Sequence, residues 1–392
     1  MKTLERSDKI IRTATVGISL NLLLKGQLKF LAKNFEVVAI SSYDDNLVEV
    51  RGRENVRVIG VDMKRGISPF HDLISLFKLY RKIKKERPLI IHSITPKAGL
   101  LTMLAGKFAG VPIRMHTFTG LIFPSKRGFL QKILINMDKL LCSAATNIYP
   151  EGLGVRKDLI NFKITSKPLK ILANGNVNGI DLEYYDVNNI SKETRLALKS
   201  SLGIDENDFV FVFVGRLVGD KGINELIEAY STLERSGVKL LLVGPFESDL
   251  DPVKETTQRE VETNPNIISV GFQKDVRPYF AISDALVFPS YREGFPNVVM
   301  QAGAMELPAI VSDINGCNEI IVEGENGVII PVKNVGAVKI AMEMMIANKE
   351  LYSKMKGNAR RMITDRYEQQ VVWDALLTEY RNLLKDKGLN HV

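Results

Sequence analysis

The sequence predicts an α/β fold of two Rossmann-like, doubly wound domains facing a cleft. Three observations predict it. The chain has 392 residues, long for one compact core and comfortable for two. Short apolar runs alternate with stretches of helical spacing, the β-α-β rhythm of a parallel sheet covered on both faces. That rhythm starts afresh after Lys167-Pro168, which divides the chain into residues 1–168 and 169–366. The last stretch, 367–392, places Trp373, Leu376, Leu377 and Tyr380 on one face of an amphipathic helix, and that face packs back on the first domain.

In the first half, "KIIRTATV" reads as a strand and "SLNLLLKGQLKFLAKN" as a helix. The strands "FEVVAISS" and "VRVIGVDM" follow, then the helix "FHDLISLFKLYRKIKKE", the strand "LIIHSI", the helix "KAGLLTMLAGKFAG" and the strand "PIRMHTF". In the second half, "FVFVFVGRL" is almost unbroken in its apolar character, as a strand buried on both faces must be. The helix "INELIEAYSTL" and the strands "VKLLLVGP", "IISVGF" and "ALVFPS" come next. A helix beginning near Pro296 and the strands "AIVSD" and "GVIIPV" complete the set. No period of 20–50 residues repeats, which argues against a solenoid.

Composition narrows the function. Hydrophobic residues make up 45% and charged residues 25% of the chain, the balance of a soluble globular protein. No apolar run is long enough to cross a bilayer. The first twenty residues mix charges into any apolar stretch, so a cytoplasmic location is expected. Two cysteines, Cys142 and Cys317, make no disulfide framework, and four histidines have no metal-ligand spacing, so no metal site or cofactor is expected. Charge is divided unevenly. Residues 1–170 carry 30 Lys and Arg against 13 Asp and Glu, a net of +17, while the whole chain nets only +8. The first half therefore faces something anionic: nucleic acid, a membrane surface or a phosphorylated substrate.

The segment "SYREGFPNVVMQAGAMELP", 290–308, places Glu293 and Gly294 in a loop between a strand and a helix. Ligands of open α/β sheets lie beyond the carboxyl ends of strands. Gly294 lets a ligand approach the backbone, and the amides of Phe295, Asn297 and Val298 offer a helix N-terminus to an anion such as a diphosphate. Glu293 then accepts hydrogen bonds from sugar hydroxyls, and Gln301, two turns on, reaches further hydroxyls. The competing reading makes Glu293 a capping carboxylate on the helix dipole. In "FVFVGRLVGDKG", Gly215 ends a strand, and Arg216 and Lys221 put two cations in one loop of the same half-sheet. Their alternative is a pair of solvated surface charges.

The motifs "GRLVGDKG", "VGFQKDVRPYFAISDALVFPSYREGFPNVVMQAGAMELPAIVSD" and "NGCNEIIVEGENGVII", in this order, resemble a retaining glycosyltransferase of the GT-B fold, family 4. "SLNLLLKGQLKFLAKNFEV", "HSITPKAGLLTMLAGKFAGVPIRMHTFTG" and "NGNVNGID" resemble the branch that builds bacterial capsule, O-antigen or exopolysaccharide repeats. The resemblance spans nearly the whole chain. It implies that Arg216 and Lys221 hold the donor diphosphate, that Glu293 contacts the donor sugar, and that the backbone near Phe272 to Lys274 meets the base, with uridine the implied base. It implies a ribose contact at Gln301, where the family usually carries Glu, and a small residue, often Gly, where this chain has Glu306. In the first domain it points to Gly17 and Ser19 as the acceptor loop and to Thr119-Gly120 at the position of the usual His-Gly pair. It offers His116 as a catalytic histidine beside the reading of a buried structural one. His92 ends an apolar strand and either lines the cleft or is a satisfied strand-end histidine.

The implied reaction moves a sugar from a nucleotide-sugar donor to a polyprenyl-diphosphate-linked glycan, with retention and without a metal. The basic first half predicts a peripheral contact with an anionic membrane surface at the inner face of the plasma membrane, with 81–87 and 123–141 as contact segments. In the second segment Phe129, Ile133 and Met137 share a helical spacing with Lys126, Arg127 and Lys132 nearby, the spacing of an interfacial helix and equally of one buried against its own sheet. Two rivals stand beside this reading, besides a relative that has lost activity through Gln301. One is a sugar-nucleotide epimerase of the same fold. The other is a basic nucleic-acid-binding protein, against which stands the lack of any nucleic-acid module.

Overall fold

A computed structural model describes residues 8–233, 235–247 and 251–389 of the chain. The ends of the expected segments that fall in 1–7 and 390–392 lie outside the described residues. The chain forms two compact units: residues up to Gly179 together with those from Gln369 onward, and Ile180–Glu368.

The first unit is built on six parallel strands: β1 (Lys9–Thr13), β2 (Glu36–Ser41), β3 (Arg57–Gly60), β4 (Ile90–Ser93), β5 (Ile113–Phe118) and β6 (Asn147–Pro150). Their order is β3-β2-β1-β4-β5-β6. The second unit repeats the plan with β7 (Phe209–Val214), β8 (Val238–Val243), β9 (Ile267–Ser269), β10 (Ala285–Phe288), β11 (Ala309–Ser312) and β12 (Gly327–Ile330). Their order, β12-β11-β10-β7-β8-β9, is the same winding. In each sheet the strand order reverses direction once, between β1 and β4 and between β7 and β10, and that switch point opens a crevice at the carboxyl ends. Val210, Phe211, Val212 and Phe213 of β7 are wholly buried, which explains the unbroken apolar run.

Three expectations are corrected. The passage between units falls at Gly179–Ile180 and not at 168. Residues 169–179 stay with the first unit because their polar groups bond there: Asn176 N–H donates to the Glu151 carbonyl at 2.9 Å and Gln27 Nε2 to the Val177 carbonyl at 2.8 Å. The run 19–34 is not one helix but two, Gly17–Leu23 and Gln27–Leu31, turned at Gly26 where the Trp373 ring packs. Strand β6 lacks the length and alternation that betray a strand, and only its place beside β5 makes it one.

The final helix, Gln369–Asp386, lies on the first sheet and begins after Glu368 rather than at 367. It buries Leu376, Leu377, Tyr380 and Leu384, roughly 1.5–3 kcal/mol each by transferred apolar area. Polar bonds fix its register. The wholly buried Arg12 donates from Nη1 to Tyr380 Oη at 3.1 Å and to Gln27 Oε1 at 2.8 Å, and Trp373 Nε1 donates to Asn178 Oδ1 at 2.8 Å.

Candidate functional site

The carboxyl ends of β7 and β10 carry the two loops that the sequence singled out. Gly215 follows β7 with φ 151°, its N–H bonded to the Val243 carbonyl at 2.9 Å. The chain then runs through Arg216 to a short 3-10 turn, Gly219–Lys221, and into the helix Ile223–Ser231. Residues 289–296 follow β10. Two glycines seat that loop. Gly222 has φ 72°, and a Cβ there would collide with the Pro289 carbonyl oxygen. Gly316 has φ 76°, and a Cβ there would lie 2.5 Å from the Gly294 carbonyl oxygen. Both positions need the left-handed backbone and an absent side chain, so glycine alone satisfies them. The Tyr291 N–H, donating to the Asp220 carbonyl at 2.9 Å, ties the loops together.

Lys221 Nζ forms an ion pair with Glu293 Oε1, and Ser290 Oγ donates to the same oxygen at 3.0 Å. Both side chains of the pair are mostly buried, at 17% and 18% exposure. The Lys221 ammonium also lies 5.7 Å from the Phe288 ring centroid. Glu293 is therefore no helix cap. The helix Asn297–Ala304 has no side-chain cap and no acidic residue in its first turn. Pro296 is its N-cap and not its first residue, because its backbone is extended at φ −73° and ψ 109°. Amides in a first turn have no acceptor within their own helix, and with the dipole behind them they favour an anion.

Arg216 is more exposed, and its Nη1 donates to Glu247 Oε2 at 2.6 Å. Glu247 follows β8, whereas Glu293 follows β10, so the two cations of one loop are held toward opposite neighbours of β7. Sequence reasoning missed Glu247 and Ser290. It also missed Asp251, whose carboxylate accepts the Asp220 N–H at 2.5 Å and stiffens the turn. Their spacing from Arg216 and Lys221 is set by strand order, which no local pattern reveals.

Phe295 is buried, with its ring 5.4 Å from that of Tyr367. Val298 and Gln301 are half-buried, and the Gln301 side chain has no hydrogen-bond partner among the described residues. Phe272, after the edge strand β9, is 75% exposed, and Lys274 is exposed beside it. Glu306 has φ 68° just past the helix, where its N–H and that of Leu307 close onto the carbonyls of Gly303 and Ala302. That left-handed closing position is one glycine fills without strain, which explains the small residue expected there.

In the first unit, Gly17 and Ser19 follow β1 at the switch point. The Gly17 N–H donates to Asp44 Oδ2 at 3.2 Å. Thr119 follows β5, and its hydroxyl donates to the Ile94 carbonyl at 2.8 Å. His116 lies within that strand. It is buried on β5, its Nδ1 2.8 Å from Ser93 Oγ, its ring edge-on to Phe118, its Nε2 without a partner. Burial holds its pKa down to about 3, so it is neutral. His92 is also buried and neutral, held between Tyr380 Oη at 2.7 Å and Thr117 Oγ1 at 2.8 Å. Both have the structural surroundings of the alternative weighed for them. Among the described residues no group of three or more His, Cys, Asp or Glu is placed to hold a metal ion.

Comparison with known proteins follows the same division. Residues 194–362 match the family described as glycosyl transferases group 1, and residues 16–151 match glycosyl transferase 4-like proteins. The chain is similar to the capsular polysaccharide biosynthesis glycosyltransferase CapM of Staphylococcus aureus, 32% identical over 384 residues, covering 97% of this chain and 99% of that one. It is 26% identical over 362 residues to the Escherichia coli UDP-Gal:α-D-GlcNAc-diphosphoundecaprenol α-1,3-galactosyltransferase, covering 89% and 91%. Among solved structures, Anabaena HepE in complex with UDP superposes with a TM-score of 0.80 at 17% identity, covering 95% of this chain and all of that one. At that identity the likeness is one of fold.

Proposed function

Because this chain belongs to the group 1 glycosyltransferases, we propose that it transfers a sugar from a UDP-sugar to a polyprenyl-diphosphate-linked glycan in the synthesis of a cell-surface polysaccharide, with retention of anomeric configuration. The observation that carries this reading is the Lys221–Glu293 pair at the β7–β10 switch point, beside an uncapped helix N-terminus.

In this reading the donor diphosphate lies against the amides that open the helix Asn297–Ala304. Lys221 turns from Glu293 to a phosphate oxygen, and Arg216 leaves Glu247 for the other phosphate. Glu293, released from the lysine and still bonded to Ser290, accepts from hydroxyls of the donor sugar. Gln301 accepts from the ribose, and the exposed Phe272–Lys274 stretch meets the base. The bond from the anomeric carbon to the diphosphate oxygen breaks, the bond to the acceptor oxygen forms, and the acceptor's proton passes to the leaving phosphate. Negative charge grows on the diphosphate as that bond lengthens. Fixed cations and amides therefore stabilise the transition state more than the bound donor. The reading assigns this neutralisation to side chains and backbone and not to a metal. The names of the E. coli relative and of the UDP complex of Anabaena HepE support the choice of UDP and of a lipid-linked acceptor. Gly17, Ser19 and Thr119 are the acceptor-side residues, and the basic first unit supports a peripheral place on the inner face of the membrane.

The test is incubation with UDP-sugars, with and without a short-chain prenyl-diphosphate-linked sugar. The reading predicts a longer glycolipid and released UDP only when the acceptor is present. Conversion of the donor sugar without acceptor overturns it in favour of an epimerase.

A further inference from the structure

The first unit carries an apolar surface that the proposed reaction does not use. The helix Pro69–Glu86 buries Ser75, Leu79 and Ile83 against the sheet. Its opposite face presents Phe70, Leu73, Ile74 and Phe77 to solvent, at 74%, 65%, 40% and 59% exposure. These positions are three and four residues apart, so they form one stripe. Phe108, 67% exposed at the end of the helix Pro96–Phe108, joins Leu73, Ile74 and Phe77 around an open groove of about 830 Å³. Single exposed apolar residues need no explanation, but a contiguous patch of five large ones marks an interaction surface.

Charge identifies what the surface meets. One turn further along the same helix the exposed residues are Lys78, Arg81, Lys82, Lys84 and Lys85. None of the five has a carboxylate within ion-pair distance among the described residues. The Arg81 guanidinium lies 5.8 Å from the Phe77 ring centroid, so basic and apolar halves adjoin. Both acids of the helix are occupied elsewhere: Asp72 by Lys97, and Glu86 by Lys9 and Arg57. The face is thus purely cationic beside its apolar stripe. No helix among the described residues is long and apolar enough to cross a membrane.

We propose that this face of the 69–86 helix docks on an anionic phospholipid bilayer. Phe70, Leu73, Ile74 and Phe77 enter the acyl boundary, while Arg81, Lys84 and Lys85 meet the headgroups. The inference deepens the proposed function by naming the surface that brings the enzyme to a lipid-linked acceptor, but its argument rests on the patch alone. It also shifts weight within the expected contact segments. Residues 81–87 supply the charge and 69–77 the insertion. In 123–141 Phe129, Leu130 and Leu140 are exposed, whereas Ile133 and Met137, between them, are half-buried.

The test is co-sedimentation with vesicles of phosphatidylglycerol and phosphatidylcholine, compared with phosphatidylcholine alone. The variants are F70S/L73S/F77S and K78E/R81E/K85E. Wild type is expected to sediment with the anionic vesicles and to be released by high salt. The serine variant should partition roughly ten-fold less, and the glutamate variant should lose its preference for anionic lipid. All substituted residues are exposed, so both variants should keep the wild-type melting temperature and UDP affinity, which are measured alongside. Unchanged partitioning of the serine variant at unchanged melting temperature overturns the proposal. So does a concentration-dependent dimer, seen by light scattering, that the same variant abolishes, for the patch then binds a second copy. Transfer to a water-soluble acceptor separates the two claims. A wild type that binds vesicles through this patch but transfers no sugar refutes the proposed function and leaves the docking surface standing.

Discussion

The two sheets have one strand order and two different crevices. Beyond β7 the chain reads Gly215 to Glu225 with four charged residues, Arg216, Asp220, Lys221 and Glu225. Beyond β1, residues 14–24 carry no charge at all. The hydroxyls there bond to one another: Thr15 Oγ1 lies 2.8 Å from Thr95 Oγ1, and Thr119 closes on Ile94. The winding supplies a place for a ligand in both units, and the side chains decide its class. In the proposed reading the second crevice, with Arg216, Lys221 and the helix amides, takes a polyanion, and the first takes a neutral, hydroxyl-rich group. The charges of the first unit lie instead on its outer helices, at 78–87 above all.

Substitutions can break this contrast, and the largest effect falls on the charged crevice. Lys221→Ala is expected to lower kcat by about 10²–10³, the size of removing one fixed donor from a developing anion. Removing Arg216 in the same way is expected to weaken the donor KM as well, because Arg216 must exchange Glu247 for phosphate. Steady-state kinetics with the lipid-linked acceptor check both. Thr119→Val in the uncharged crevice should raise the acceptor KM and leave the donor KM unchanged.

Acid separates the units next. His92 and His116 are both buried and neutral in the first unit, the second with its pKa held at about 3 by burial. Their unfolded value is about 6.5. Unfolding then takes up two protons below that pH. Stability contributed by the neutral forms is present above pH 6.5 and lost as pH falls below it, for His116 down to about 3, at up to about 1.4 kcal/mol per pH unit for each histidine. Urea unfolding at pH 7 and pH 5 should show the first unit weaken more than the second. His116→Leu should flatten the slope.

Two small effects sharpen the account of the second unit. Gln301→Glu is expected to tighten UDP binding by a few-fold if its side chain meets the ribose. Unchanged affinity by calorimetry removes that role. Glu306→Gly is expected to raise the unfolding free energy by about 0.5–1 kcal/mol, by relieving a left-handed residue with a Cβ. Denaturant unfolding checks it.

Much of this was legible in the residues. All six strands of the second sheet were read from their apolar runs, and the signal is clearest in β7, which is buried on both faces. In the first sheet β6 escaped, since four residues ending in Pro150 carry no period to detect. Gly294, Pro296 and Lys221 stood out because glycine and proline punctuate the chain and because a cation in a strand-end loop is a candidate partner for an anion. Glu247 escaped because its partner, Arg216, is 31 residues away and meets it only through the pairing of β7 with β8. Buried Arg12 escaped for the same reason: an arginine in a strand reads as exposed until Gln27 and Tyr380 are seen to enclose it. Glu306 could be noticed from sequence but explained only by its backbone angle.

The central claim is that a donor diphosphate binds at the β7–β10 switch point and takes Lys221 from Glu293. A crystal structure of the protein with a UDP-sugar tests it most directly. The account predicts phosphate oxygens within hydrogen-bond distance of Lys221 Nζ and of the amides opening the helix Asn297–Ala304, with the Lys221–Glu293 pair parted. A diphosphate bound beyond β1 and β4, with that pair intact, would contradict it.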